Sequence, residues 1–199
     1  MATGGASAEA VTSHLRLGLN PRQTETVERL LLAGEQELEE VGPEALTIRM
    51  VAQRAGVSPA TAYTYLASKN HLFAELFWRA IAAEPTPEQV GGTAVDRVRG
   101  VTRHFSALLG RSPHLATAAN IALLGTDPEV ERLRLVIGSE FVNRFRDAIG
   151  EGADARVVDA ITLAFAGALL QAGMGLMTYD ELSQRLDDVV AVIMEGHSR

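Results

Sequence analysis

The segment from Ile48 to Phe73 constrains the fold most, because apolar spacing, one glycine and two hydroxyl-plus-helix-start pairs follow in close succession. Val51, Ala55, Val57, Ala62 and Tyr65 are spaced for burial between two short crossed helices, and Ala52 is small where the second helix crosses the first. Gly56 falls at the turn, where a tight helix-to-helix connection needs one residue at positive φ and glycine meets the least steric cost. Ser58 offers a hydroxyl N-cap, and Pro59 fills the first helical position, whose amide would lack a partner anyway. The spacing predicts a second helix from Pro59 to about Leu66, too short to persist without tertiary packing. Ala60, Thr61, Tyr63 and Thr64 then lie away from its buried residues.

Ser68 can cap the next helix, and Lys69, the only lysine in the chain, occupies its first turn. The helix dipole opposes a cation there. A phosphate held by backbone N–H groups and an ammonium would offset that opposition. Charge distribution fits the same idea. The net charge is −7, yet no Asp or Glu lies between Glu44 and Glu75, where Arg49, Arg54 and Lys69 fall. Phosphate neutralisation supplies most non-specific DNA affinity, so local charge decides the matter rather than the total. Arg54 reads as a solvated surface charge rather than a contact.

The run Val57-Ser58-Pro59-Ala60-Thr61-Ala62-Tyr63-Thr64-Tyr65-Leu66-Ala67-Ser68-Lys69-Asn70-His71-Leu72-Phe73 resembles the helix-turn-helix signature of the TetR (tetracycline-repressor-like) family of bacterial regulators. That signature runs Val-Ser-x-x-Thr, an apolar residue, Tyr, x, His or Tyr, an aromatic, x-x-Lys-x-x-Leu. Ala62 stands where Leu is commoner and Leu66 where Phe is usual, both at apolar core positions. The resemblance implies that Ser58, Pro59, Ala60, Thr61, Tyr63 and Thr64 face DNA. It also implies that Thr47, Tyr65 and Lys69 match backbone-clamping positions, with Arg49 a weaker candidate for the same work. Upstream, Thr24 to Gly42 looks like the family's first helix, with Val27, Leu30, Leu31, Gly34, Leu38 and Val41 at a helical period and Gly42 as a stop. The similarity is specific over about 60 residues and falls away beyond Trp78, where the family's second half diverges.

The rest of the chain carries helical periodicity alone: Val95 to Leu108, Leu115 to Leu124, Val130 to Phe145, Val157 to Met177 and Leu182 to Met194. Gly110, Gly125, Gly150 and the Met177–Asp180 region punctuate these helices, and no strand pattern interrupts them. Glu84-Pro85-Thr86-Pro87-Glu88 breaks the preceding helix and marks the boundary between the two functional halves. The expected fold is all-α. Residues 1–20 form a loose Ala/Gly/Ser-rich tail, 21–83 a three-helix helix-turn-helix DNA-binding domain, and 84–199 a helical effector-binding and dimerisation domain.

Several functions are excluded. The chain has no cysteine, which removes disulfides, thiolate chemistry and cysteine-based zinc sites. The first residues lack the basic start and apolar run of a signal peptide, so a cytoplasmic location is expected. None of the five histidines has a Glu three residues before it, and there is no His-x-x-x-His or Walker loop, so no catalytic residue, metal site or cofactor is expected. Gly173-Met174-Gly175 falls within a helical pattern, where it cannot form a phosphate-binding turn.

Ile161 to Met177 is apolar nearly all round, but it is short for a membrane span and its flanks, Asp159 and Asp180, are acidic. A buried helix is expected. Ala164, Ala168, Ala172 and Gly175 leave room for another helix to approach, and the resemblance implies that the last two helices form a four-helix bundle with a partner chain. A cavity in this half would draw on Phe105, Leu109, Ile121, Phe141, Phe145 and Met174, with His104, Asn120 or Gln171 as polar anchors. Each of these reads more readily as ordinary core than as pocket lining, so no pocket residue is assigned.

The sequence thus indicates a homodimeric repressor released from a palindromic double-stranded operator by a small, mostly apolar ligand. The competing readings are a TetR-like activator, or a helical small-molecule-binding or scaffolding protein that does not bind DNA.

Overall fold

In the computed structural model, which describes residues 19–84 and 92–197, the described residues form nine α-helices and no strand. They are α1 (Pro21–Ala45), α2 (Ile48–Arg54), α3 (Pro59–Tyr65), α4 (Lys69–Ala83), α5 (Ala94–Arg111), α6 (Pro113–Leu124), α7 (Pro128–Ile149), α8 (Ala155–Gly173) and α9 (Tyr179–His197). Most of the expected tail, and the Pro85–Glu88 part of the expected boundary, lie outside the described residues. The helices divide between two compact units. One holds the described residues through Glu84 together with His114–Arg134, and the other holds the described residues of Thr86–Pro113 and Leu135–Arg199.

In the first unit α1 starts earlier than the apolar period suggested, because Asn20 and Gln23 form a reciprocal capping box and Pro21 follows the cap. Gly42, at φ 75° and ψ 170°, breaks the helix where a stop was expected, and Pro43 opens one more turn before Leu46. Val27, Leu30, Leu31 and Leu38 of α1 are buried, as are Leu72, Phe73, Leu76 and Phe77 of α4. Arg79 fastens these two helices through Nη1, which donates to both carboxylate oxygens of Glu28 at 3.1 and 2.8 Å.

In the second unit α9 packs on both α5 and α8. Val98, Val101, Phe105, Val158, Ile161, Leu182, Leu186 and Val190 are buried. Phe105, Phe141, Phe145 and Phe165 form a cluster of mostly edge-to-face rings with centroids 4.7 to 5.6 Å apart. The buried Arg144 lies over the Phe105 ring at 5.0 Å and pairs with Glu140 at 2.7 Å. Arg103 makes a bidentate bond from α5 to Asp187 of α9. Arg97 closes the end of α7 by donating to the carbonyls of Ala148 at 2.7 Å and Ile149 at 2.9 Å. Such bonds satisfy helix-end carbonyls that have no intrahelical donor.

Three sequence expectations change here. Gly110 does not end α5; the break comes at Ser112, ahead of Pro113. Gly173-Met174-Gly175 is not helix interior: α8 ends at Gly173, and Gly175 has φ 73°. Within one chain α8 is not a buried helix either. Only Val157, Val158, Ile161 and Phe165 are buried, while Leu163 is 73% exposed. By length and composition alone α8 could cross a membrane.

Candidate nucleic-acid interface

The helix-turn-helix is built as its residues dictate. Thr47 has extended backbone and caps α2, accepting the Met50 amide at 3.3 Å. Gly56 turns the chain at φ 66°, with the Gly56 and Val57 amides donating to the carbonyls of Gln53 and Ala52. Ser58 caps α3 by accepting the Thr61 amide at 3.1 Å, and Pro59 takes the first helical position. Val51, Ala52, Ala55, Ala62 and Leu66 are buried, whereas Val57 and Tyr65 are only half-buried. Ala62 and Leu66, where the chain departs from the signature, are therefore fully packed core positions. Ser68 caps α4 by accepting the His71 amide at 2.9 Å.

The opposite side of α3 carries Pro59, Ala60, Tyr63 and Thr64 in exposed positions, with Thr61 partly covered. Its hydroxyls differ in freedom. Ser58 and Thr61 share a hydrogen bond at 2.9 Å, and Thr64 donates to the Ala60 carbonyl at 3.1 Å. Tyr63 is 52% exposed and its hydroxyl makes no hydrogen bond among the described residues. It is the longest side chain on this face and the one least engaged within the protein. Tyr65, half-buried on the same helix, also keeps its hydroxyl unengaged among the described residues.

The three cations of the acid-free segment have different fates. Arg49 is exposed and makes no ion pair among the described residues. Arg54 is not a free surface charge: it bonds to Glu40 and, at 2.6 Å, to Glu37, both on α1. Those hydrogen bonds, Glu40 first and Glu37 second, hold its guanidinium above the ordinary arginine range. The Lys69 ammonium donates to the carbonyls of Pro43 at 3.0 Å and Glu44 at 3.2 Å, linking the start of α4 to the turn just before Thr47. Two of its three N–H groups are thereby used.

Sequence reasoning missed the partners that lock this module. Glu37 and Glu40 share a face of α1 at i, i+3 spacing, but nothing local links them to an arginine beyond the next turn. Arg29 of α1 likewise donates to the Ala55 carbonyl at 3.2 Å, supporting the end of α2. Of the residues considered for a cavity, Phe105 and Phe141 do meet, and Phe145 joins them only through the unexpected Phe165. Leu109 is buried and His104 stands edge-on to Phe105, 5.8 Å between centroids. Met174 and Gln171 are exposed. In the first unit Ile121 is 42% exposed, and Asn120 donates to the Ala116 carbonyl on its own helix.

Known proteins resemble this arrangement. Residues 30–76 match the sequence model for bacterial regulatory proteins of the tetR family. An HTH-type transcriptional regulator of Mycobacterium tuberculosis is 42% identical over 179 residues, covering 89% of this chain and 84% of that protein. The HTH-type transcriptional repressor KstR of Mycolicibacterium smegmatis is 27% identical, covering 93% of this chain and 94% of that one. In fold, a TetR transcriptional regulator from Rhodococcus sp. RHA1 superposes with a TM-score of 0.73 at 20% identity, covering 88% of this chain and 98% of that chain.

Proposed function

The chain belongs to the TetR family of bacterial DNA-binding transcriptional regulators, and on that premise we propose that it is a homodimeric repressor released from a palindromic operator by a small, mostly apolar ligand. The observation that carries the DNA-binding part is the exposed face of α3, set on a buried Ala62–Leu66 side within a stretch free of carboxylates. Pro59 and Ala60 offer apolar contact to a thymine methyl, and Tyr63 reaches a base edge or the adjoining phosphate. Ser58, Thr61 and Thr64 keep acceptor lone pairs beside them. Thr47, Tyr65 and Lys69 act on the DNA backbone and set register, with Arg49 as an additional phosphate partner. Among the described residues no cluster of three or more histidines and carboxylates could hold a metal.

Dimerisation supplies the second half-site. Two copies of α3 then enter successive major grooves about 34–36 Å apart. The surface that supports this reading lies on α8 and α9, where Leu163, Leu170, Val189 and Val192 are exposed. Between them runs an open groove of about 380 Å³ whose walls are mostly apolar, with Leu163, Ala164, Ala168, Leu186 and Val189 among them and Gln171 and Arg185 as its polar side chains. A partner copy would cover this apolar surface of α8, and the protein would then reside in the cytoplasm beside its DNA. Release requires that the ligand favour one conformer by about 1–3 kcal/mol of coupling. Similarity to a protein named as a repressor favours repression over activation.

The deciding experiment is a titration of labelled duplex DNA from the promoter next to the protein's own coding sequence, at several salt concentrations. Tight, sequence-dependent and salt-dependent binding is expected. Binding that is weak and equal for all sequences would reduce the chain to a helical binding or scaffolding protein.

A further inference from the structure

Lys69 occupies a place that electrostatics disfavours, the first turn of α4, where the helix dipole repels a cation. Its surroundings in the free protein remove that difficulty. Nζ lies 3.0 Å from the Pro43 carbonyl oxygen, 3.2 Å from that of Glu44 and 5.9 Å from the centre of the buried Phe73 ring. The two carbonyls belong to the turn that follows the Gly42 break in α1, a place where helix-end acceptors lack intrahelical donors. Two steps along the chain, Leu46 donates back to the Gly42 carbonyl at 3.2 Å, and Thr47 then caps α2 through the Met50 amide. The start of the helix-turn-helix thus hangs on a turn held across 25 residues by one ammonium.

We propose that Lys69 is a positioning residue: in the DNA-free protein its ammonium staples the Pro43–Leu46 turn and fixes where α2 begins. The inference rests on the DNA-binding reading above for its functional consequence, but the staple itself does not. Residue chemistry supports the assignment. An ammonium is a compact charge with three donors that can be aimed at two neighbouring carbonyls, whereas a guanidinium presents a rigid planar fork suited to carboxylate or phosphate. Every other member of the chain's Lys-plus-Arg set is arginine, and the lysine stands where two main-chain oxygens converge. The third N–H stays available for a phosphate, so the turn would be set before DNA arrives.

The test is NMR-detected amide exchange on the full-length, DNA-free protein, with operator titrations and melting temperatures alongside. Lys69→Met and Lys69→Gln should speed exchange of the Leu46 and Met50 amides by about tenfold while leaving the α8 amides unchanged, the pattern of a local opening. Operator affinity should fall about tenfold or more at an unchanged melting temperature, the scale of a specifying contact. Lys69→Arg should restore part of both. Wild-type exchange at Leu46 and Met50 in the two neutral variants would overturn the staple, even if operator affinity fell, because Lys69 would then act on phosphate alone. Faster exchange with unchanged affinity would equally overturn it as a positioning residue. Exchange is read without DNA, so failure of the DNA-binding reading appears separately, as a wild type that binds no duplex.

Discussion

The Ser68 hydroxyl lies 2.5 Å from Oδ2 of Asp127, joining the cap of α4 to the residue that precedes α7, 59 positions along the chain. Each partner also serves its own helix: Ser68 accepts the His71 amide, and Oδ1 of Asp127 accepts the Glu129 amide at 3.0 Å. Arg134 draws the start of α7 back onto the end of α6 by donating to the carbonyls of Leu123 and Gly125 at 2.8 and 2.7 Å. The Ser68–Asp127 bond ties His114–Arg134 to the helix-turn-helix within one compact unit.

Removing that shared carboxylate should loosen both helix starts. Asp127→Ala is expected to lower stability by about 0.5–2 kcal/mol, the usual cost of a lost N-cap. Ser68→Ala should cost a similar amount, and the double variant less than the sum, since the two side chains form one network. Urea unfolding of the four proteins checks this, and strictly additive midpoint shifts would dissolve the link.

Tyr63→Ala should weaken operator binding by about 1–3 kcal/mol, the scale of one specifying contact. The melting temperature should hardly move, because the side chain is 52% exposed and makes no hydrogen bond among the described residues. Fluorescence anisotropy on operator duplex reads the loss directly. Equal affinity for both proteins would remove Tyr63 from the interface.

Much of the helix-turn-helix was legible because its determinants are local: a cap at Thr47, a positive φ at Gly56, Ser58-Pro59 and Ser68 each act within three or four residues. The apolar periods likewise located all the later helices, since each depends on its own 3.6-residue stripe. Long-range polar pairing was not legible. Nothing near Arg54 announces Glu37 and Glu40, and nothing near Ser68 announces Asp127, so the membership of α6 in the first unit could not be read from a Pro-rich boundary at residue 84. The exposed hydroxyls could be read as candidates, but which of them are already engaged within α3 is set by the folded geometry of Ser58, Thr61 and Thr64.

Two helix starts of the second unit rest on carboxylates, and their protonation gives a pH signature. Asp96 accepts from the amide and hydroxyl of Thr93, and Glu181 from those of Thr178. Those hydrogen bonds lower both acids below their ordinary values of 3.8 and 4.5. A depressed folded-state value means that the unfolded chain binds the proton more readily. Their stabilisation is therefore complete above the ordinary values and is lost as pH falls through the lowered ones. Asp96→Asn and Glu181→Gln should flatten the decline of melting temperature below about pH 4.5. An acid limb as steep as that of the wild type would separate these caps from acid unfolding.

Salt dependence should distinguish the two arginines. Arg49 is exposed without an ion pair among the described residues, so Arg49→Gln should lower the magnitude of the salt slope by roughly one unit per half-site. Arg54 already neutralises Glu37 and Glu40, so Arg54→Gln should leave that slope unchanged. The reverse pattern would mean that the ion pairs on α1 open when DNA binds.

The dimer is best tested at Ala168 rather than at Gly175. Gly175 sits just past the end of α8 at φ 73°, so any side chain there is strained whether or not a partner is near. Ala168 lies inside α8 and lines the open groove beside Gly167 and Leu186. Arginine is a good helix former, so Ala168→Arg should leave the protomer folded while placing a long charged side chain where a second copy would pack. Light scattering should give a dimer for the wild type at micromolar concentration and a monomer for the variant, with operator binding lost in parallel. A monomeric wild type would refute both the interface and the two-half-site mechanism. One recognition helix of seven residues makes too few base contacts for tight specific binding alone.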